Sequence, residues 1–204
     1  MDQIFLSYKL TAHQNQNRTI VIGFLLEDLD RSIFKYRDYE KVLFKRDKNK
    51  FALTNIPVNL EEKKSFFLDF YLFRFFLNFY NLIKNDFDPR LDNCHITKKK
   101  DLLNYYIEEI LKISKIYNQK IVFITFNWKE DLIKKPTWRY KETRDLFLKH
   151  NIANIDSYKI LKEKSLNNRE EIIKYFGSDK HNNKLSFRFI VDKLFEFLKY
   201  SDIK

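Results

Sequence analysis

The stretch RTIVIGFLL, Arg18 to Leu26, decides the fold class. It is short, almost wholly apolar and rich in β-branched residues. A run of this kind reads as a strand buried on both faces, as in a parallel sheet. It breaks off into an acidic loop at Glu27, Asp28 and Asp30. In open α/β sheets ligands bind beyond the carboxyl ends of the strands. The loop is therefore a candidate site, and a plain solvated acidic turn is the competing reading.

Working outward, the residues before Asn17 read as a helix followed by a loop. Lys41 to Val58 holds two short alternating runs around Asp47-Lys48-Asn49-Lys50, which predicts a β-hairpin. A long helix is expected from about Leu60 to Lys84, with Glu61 and Glu62 near its positive end. A loop containing Pro89 follows. Lys98 to Tyr117 has a helical apolar face at Leu102, Leu103, Tyr106, Ile107, Ile110, Leu111 and Ile113. KIVFITFN, Lys120 to Asn127, is a second buried strand. Trp138 to His150 reads as a helix opened by Pro136 and Thr137, and Asn151 to Asp156 as a short strand. Asn168 to Tyr175 and Asn183 to Tyr200 read as the last two helices. Strands alternating with helices predict an α/β fold, a parallel sheet with helices on both faces. The absence of a flexible linker or repeat predicts one domain over residues 1–204.

Composition narrows the function classes. The chain has 204 residues, 44% apolar and 33% charged, which fits a globular domain. Its one cysteine, Cys94, excludes an internal disulfide and a cysteine-based metal site. The net charge is +11, but Lys, Asn, Ile, Phe and Tyr are abundant throughout, a bias that AT-rich codons produce. The basic residues are scattered apart from Lys98-Lys99-Lys100, so a nucleic-acid partner is disfavoured. The most membrane-like stretch, Phe66 to Ile83, carries Asp69 and Arg74. A charge near the bilayer centre costs about 2.5–3.5 kcal/mol, which disfavours a span. No secretory signal opens the sequence, so the chain as it stands is expected in the cytoplasm. A longer form with upstream residues would permit anchoring or export.

The second candidate site is YFGSDKHNNKLSFRF, Tyr175 to Phe189. An Asp two residues before a His can turn its carboxylate onto the imidazole Nδ1–H and leave Nε2 as a general base. Asp179 and His181 have that spacing. A solvated turn, with Asp179 capping the last helix, is the alternative.

Together these segments resemble the SGNH or GDSL family of serine esterases and acyl hydrolases. Asp179, His181 and Asn183, with Phe189-Ile190-Val191 behind them, are similar to the family's last block. Gly23-Phe24-Leu25-Leu26-Glu27-Asp28, followed by FKYRDYEKVLF and LTNIPV, is similar to an upstream block of a bacterial branch. KIVFITF and NIANIDSY give a weaker match to later strands. The resemblance runs from about Arg18 onward. It implies a three-layer α/β/α sandwich of flavodoxin-like type, with Asp179 and His181 as acid and base and Gly23, Glu27 and Asp28 in an oxyanion-loop remnant. It implies an ester, acylated carbohydrate or lipid as ancestral substrate, and neither metal nor cofactor.

Two departures bear on activity. No Gly-Asp-Ser is present to supply the nucleophile, so the domain is expected to lack the family's first strand and helix and to have an exposed sheet edge, which leaves the chain unstable alone or covered there by another protein element. Ser7, Ser32 and Ser157 are poor substitutes, since none follows a strand in a tight glycine turn. Glu27 stands where the family places an oxyanion-donating Asn, and an ionised carboxylate would repel the developing charge. The expectation is an esterase-like domain with little or no turnover. A non-catalytic binding or assembly module is the first rival, and a basic nucleic-acid binder the second.

Overall fold

The computed structural model describes residues 1–33, 42–47, 50–54, 56, 95–178 and 181–201. The long helix expected at Leu60 to Lys84, with its membrane-like stretch, and the loop around Pro89 lie outside them, as does Asp179. The described residues fall into two compact units.

The larger unit contains α1 (Asp2–Thr11) and β1 (Thr19–Leu25), then β4 (Lys120–Phe126), α4 (Lys129–Ile133), α5 (Trp138–Lys149), β5 (Ala153–Asp156), α6 (Ser157–Lys164), α7 (Arg169–Ile173) and α8 (Lys184–Ser201). The two buried apolar runs pair in parallel along seven residues, Thr19 with Lys120 through Leu25 with Phe126. β5 adds in parallel on the other side of β4, giving the order β1-β4-β5.

Alternation along β4 sends side chains to both faces. On one face Phe123 meets Phe24 edge-on and stacks at 4.9 Å on Phe147 of α5. On the other, Val122, Ile124 and Ile155 pack around the fully buried Ile190 of α8. Helices on both faces explain why the strands read as continuous rather than alternating apolar runs. Gly23 lies within β1, not in the loop beyond it. A Cβ there would come within 3.3 Å of the Phe126 ring, so the glycine admits that ring.

With so few glycines, other residues close the helices. Asn118, just ahead of β4, and Asn151, just past α5, adopt φ of 49° and 51°. Asparagine tolerates this left-handed conformation better than most side chains.

The smaller unit holds the hairpin of β2 (Leu43–Asp47) and β3 (Lys50–Thr54) and the start of α3 (Ile96–Ile116), a helix that continues into the larger unit. Tyr105 packs against Phe44 and Phe51 of the hairpin. Within the basic run, Lys99 is fully buried and pairs with Asp30 at 2.7 Å. At that position the charge is part of the packing rather than of a nucleic-acid surface.

Three short helices, α2 (Asp28–Arg31), α4 and α6, have no counterpart among the expected elements. α6 starts directly at the end of β5, and Asp156 accepts a hydrogen bond from the Lys159 N–H as its cap. Among the described residues no helix is long and apolar enough to cross a membrane.

Ile190 has no exposed surface and sits between the sheet and α8, so Ile190→Ala should lower the free energy of unfolding by about 2–4 kcal/mol. The partly exposed neighbour Val191→Ala should cost about 1 kcal/mol or less. Urea titration of the two variants compares them directly; equal costs would mean that α8 is not seated on this face.

Candidate functional site

The carboxyl ends of β1 and β4 gather the polar groups of the larger unit. The Leu26 N–H donates to the Phe126 carbonyl at 3.0 Å, carrying the pairing one residue past the end of β1. By that register Asn127 lies level with Leu26, and Glu27 follows one residue on, level with Trp128. After Asn127 and Trp128 the chain turns into α4, whose Asp131 is buried, and α5 brings in the buried Arg139.

Glu27 is largely buried, and its carboxyl forms a hydrogen-bonded pair with that of Asp131. Glu27 Oε2 and Asp131 Oδ2 have no N–H or O–H donor among the described residues. Two carboxyl oxygens can bond only when one carries a proton. Burial, then the Asp131 charge and the hydrogen bond to it, push Glu27 up from 4.5 to about 9, against the opposing pull of its backbone hydrogen bond and of Arg139. Burial also raises Asp131, which Glu27, Asn127 and Arg139 pull back toward ionisation. At neutral pH Glu27 therefore keeps its proton. A partly buried, protonated Glu27 donates a hydrogen bond rather than presenting a charge, and Asp131 is where that bond goes.

His181 is exposed, and its ring meets Trp128 edge-on at 6.2 Å. The histidine therefore lies toward the same end of β4 as Asn127. Its turn is held by the backbone: Gly177 N–H donates to the His181 carbonyl at 2.9 Å, and Phe176 pairs with Asn182. Tyr175 and Phe176 anchor it in a cluster with Leu132, Leu161 and Ile172. The cap of α8 is Asn183, whose Oδ1 accepts from the N–H groups of Leu185 at 2.9 Å and Ser186 at 3.2 Å. Asn183 thus performs the capping that Asp179 was offered for. Asp28 opens the short α2 (Asp28–Arg31) just past Glu27, and Gly23 lies back within the strand.

The three alternative serines differ in place. Ser7 is exposed on α1, and Ser32 is buried in the smaller unit. Ser157 begins α6 at the end of β5, has no exposed surface, and donates to Asn127 Oδ1 at 3.3 Å. Beside it, Tyr140 donates to Asp156 at 2.8 Å, and burial raises the Tyr140 phenol further above its ordinary value.

Asp131, Asn127, Trp128 and Arg139 were not picked out from the sequence. The rule that singled out Glu27, polar residues immediately beyond a buried strand, applies equally to FNWKED after β4. Arg139 carries no such signal, since it sits in a helix that looks polar. Among the described residues no group of three or more His, Cys, Asp or Glu side chains could hold a metal ion.

Comparison with known proteins returned nothing: no family model, curated protein or solved structure matches the chain.

The Glu27 proton gives a pH signature. The unfolded chain releases it near 4.5 and the folded protein near 9. Between these values the folded state holds more protons, so stability falls as pH rises, by at most about 1.4 kcal/mol per pH unit. Glu27→Gln keeps a donor toward Asp131 without a titrating proton. Urea midpoints from pH 5 to 9 should decline in the wild type and decline much less in Glu27→Gln; parallel curves would rule out the shared proton.

Proposed function

We propose that the chain is an SGNH-like acyl-hydrolase domain of flavodoxin-like type that performs no acyl transfer on its own. What carries the reading is the position of His181 against Trp128, toward the carboxyl end of a parallel strand and ahead of the final helix. A hydrolase of this kind places its base there, with Asp179 as the acid that orients it. The strand order β1-β4-β5, parallel throughout, is compatible with the same architecture.

The chemistry of the site argues against turnover. The covalent route needs a serine hydroxyl within hydrogen-bond reach of the imidazole. Among the described residues the one serine at a strand end, Ser157, is buried with its hydroxyl directed to Asn127. An oxyanion loop needs a donor aimed at the reacting carbonyl. Glu27 has a proton to give, but Asp131 receives it. Substrate contact, if retained, would be with an ester or acylated carbohydrate or lipid held near His181 and Trp128.

Hydrolysis of p-nitrophenyl acetate tests this. The wild type should turn over no faster than His181→Ala, with both close to the buffer rate. Turnover that disappears in His181→Ala would make the domain an active esterase and overturn the proposal.

A second reading, an assembly module built on the same fold, is favoured by one observation. Val21, which points to the sheet face under α8, is 40% exposed, and Phe187, Val191 and Phe195 of α8 are exposed at helical spacing, Phe195 to 66%. Burying such a strip against another protein element would remove apolar surface from water at about 25 cal/mol per Å². On this reading sedimentation velocity shows concentration-dependent association that persists in His181→Ala and is lost in Phe195→Glu. A monomer at all concentrations would remove self-assembly as the use of the strip.

A further inference from the structure

The parallel sheet ends on β5, and the far edge of that strand pairs with no other described strand. A groove of about 690 Å³ runs beside it. Asn154 and Ile155 both line the groove, although adjacent residues of a strand point to opposite faces. A groove that touches both faces follows the strand's edge.

In a parallel pair, every second residue turns its N–H and C=O away from the neighbouring strand. Ala153, Asn154 and Ile155 make no backbone hydrogen bond on that side to another described residue. Main-chain groups of this kind are a template for a further strand. The walls say what such a strand would look like. Ile160 of α6 and Phe197 of α8 line the groove and pack on the Ile155 face of the sheet, with the largely exposed Tyr200 beside them. The groove is also lined by three lysines and three acidic side chains, so it has no net preference for charge. Recognition there would rest on backbone pairing and apolar contact.

We propose that this groove is a strand-addition site: the β5 edge accepts an extended, uncharged segment of a partner protein, with alternate apolar side chains against Ile160 and Phe197. β5 has four residues, so the paired length is about 13 Å at ~3.3 Å per residue. The strand supplies affinity through main-chain hydrogen bonds, and the apolar wall supplies register. The site is separate from the His181 turn and does not depend on the hydrolase-like reading.

The test is a titration of the ¹⁵N-labelled full chain with a blocked hexapeptide of alternating Thr and Val. Shifts should concentrate at Asn154, Ile155, Ile160 and Phe197, with slowed amide exchange on the outward edge of β5. The dissociation constant should be about 1 mM or tighter. The same peptide with alternate amides N-methylated loses its donors in one of its two registers. Methylation of the edge-facing set should weaken binding about tenfold or more, and methylation of the other set much less. Tyr200→Ala, a substitution at an exposed position, should weaken binding several-fold while leaving the fold unchanged by circular dichroism. Equal binding of both methylated peptides would make the groove an apolar pocket for small molecules and overturn the proposal. So would shifts confined to other surfaces, or no binding at several times that concentration.

Discussion

The seven-residue parallel register between β1 and β4 is the constraint on which the larger unit depends. It fixes which side chains meet above and below the sheet. Phe24 is brought to Phe123, which stacks on Phe147, on one face, and Ile124 with Ile155 lies under Ile190 on the other. A slip of one residue would exchange the two faces and destroy both sets of contacts. The same register sets where the two strands stop. Since Leu26 still bonds to Phe126, the chain leaves both strands at one level, with Asn127 beside Leu26 and Glu27 level with Trp128. The buried carboxyl pair is thus a consequence of sheet register rather than of local sequence.

Most of the larger unit's architecture was legible because its elements carry strong, simple patterns. RTIVIGFLL and KIVFITFN run apolar without alternation over Ile20 to Leu26 and Ile121 to Ile124, which is what burial on both faces demands. The Lys98 to Tyr117 periodicity matches the buried Leu102, Leu103, Tyr106, Ile107 and Ile110 of α3. What escaped was short or abrupt. α4 has five residues, too few for a 3.6-residue period to declare itself. α6 begins with no glycine or proline to mark it, because Asp156 is at once the last residue of β5 and the helix cap.

The candidate site was half legible. Glu27 and His181 could be picked out from position and spacing, but their surroundings could not. A sequence reading gives Glu27 the charge it has in water, whereas its actual state is set by burial and by Asp131, more than a hundred positions further along the chain. Lys99 and Arg139 show the same limit from the other side. In sequence each belongs to a solvated charge pattern, and in the structure each is buried. Charge that folds inward cannot be told from surface charge without knowing which elements meet. The +11 of the whole chain is accordingly a poor guide to either site.

The protonated Glu27 has a further consequence when Asp131 and Arg139 are included. When Asp131 is ionised beside a neutral Glu27, its one negative charge is balanced by the one positive charge of Arg139. In a low-dielectric setting that balance keeps the group's field short-ranged. An anionic molecule approaching the end of the sheet would feel little pull from the guanidinium, and a cation little from the carboxylates. The three groups thus add little long-range field of their own, and whatever steering an approaching molecule feels at this end of the sheet comes from charges elsewhere in the chain.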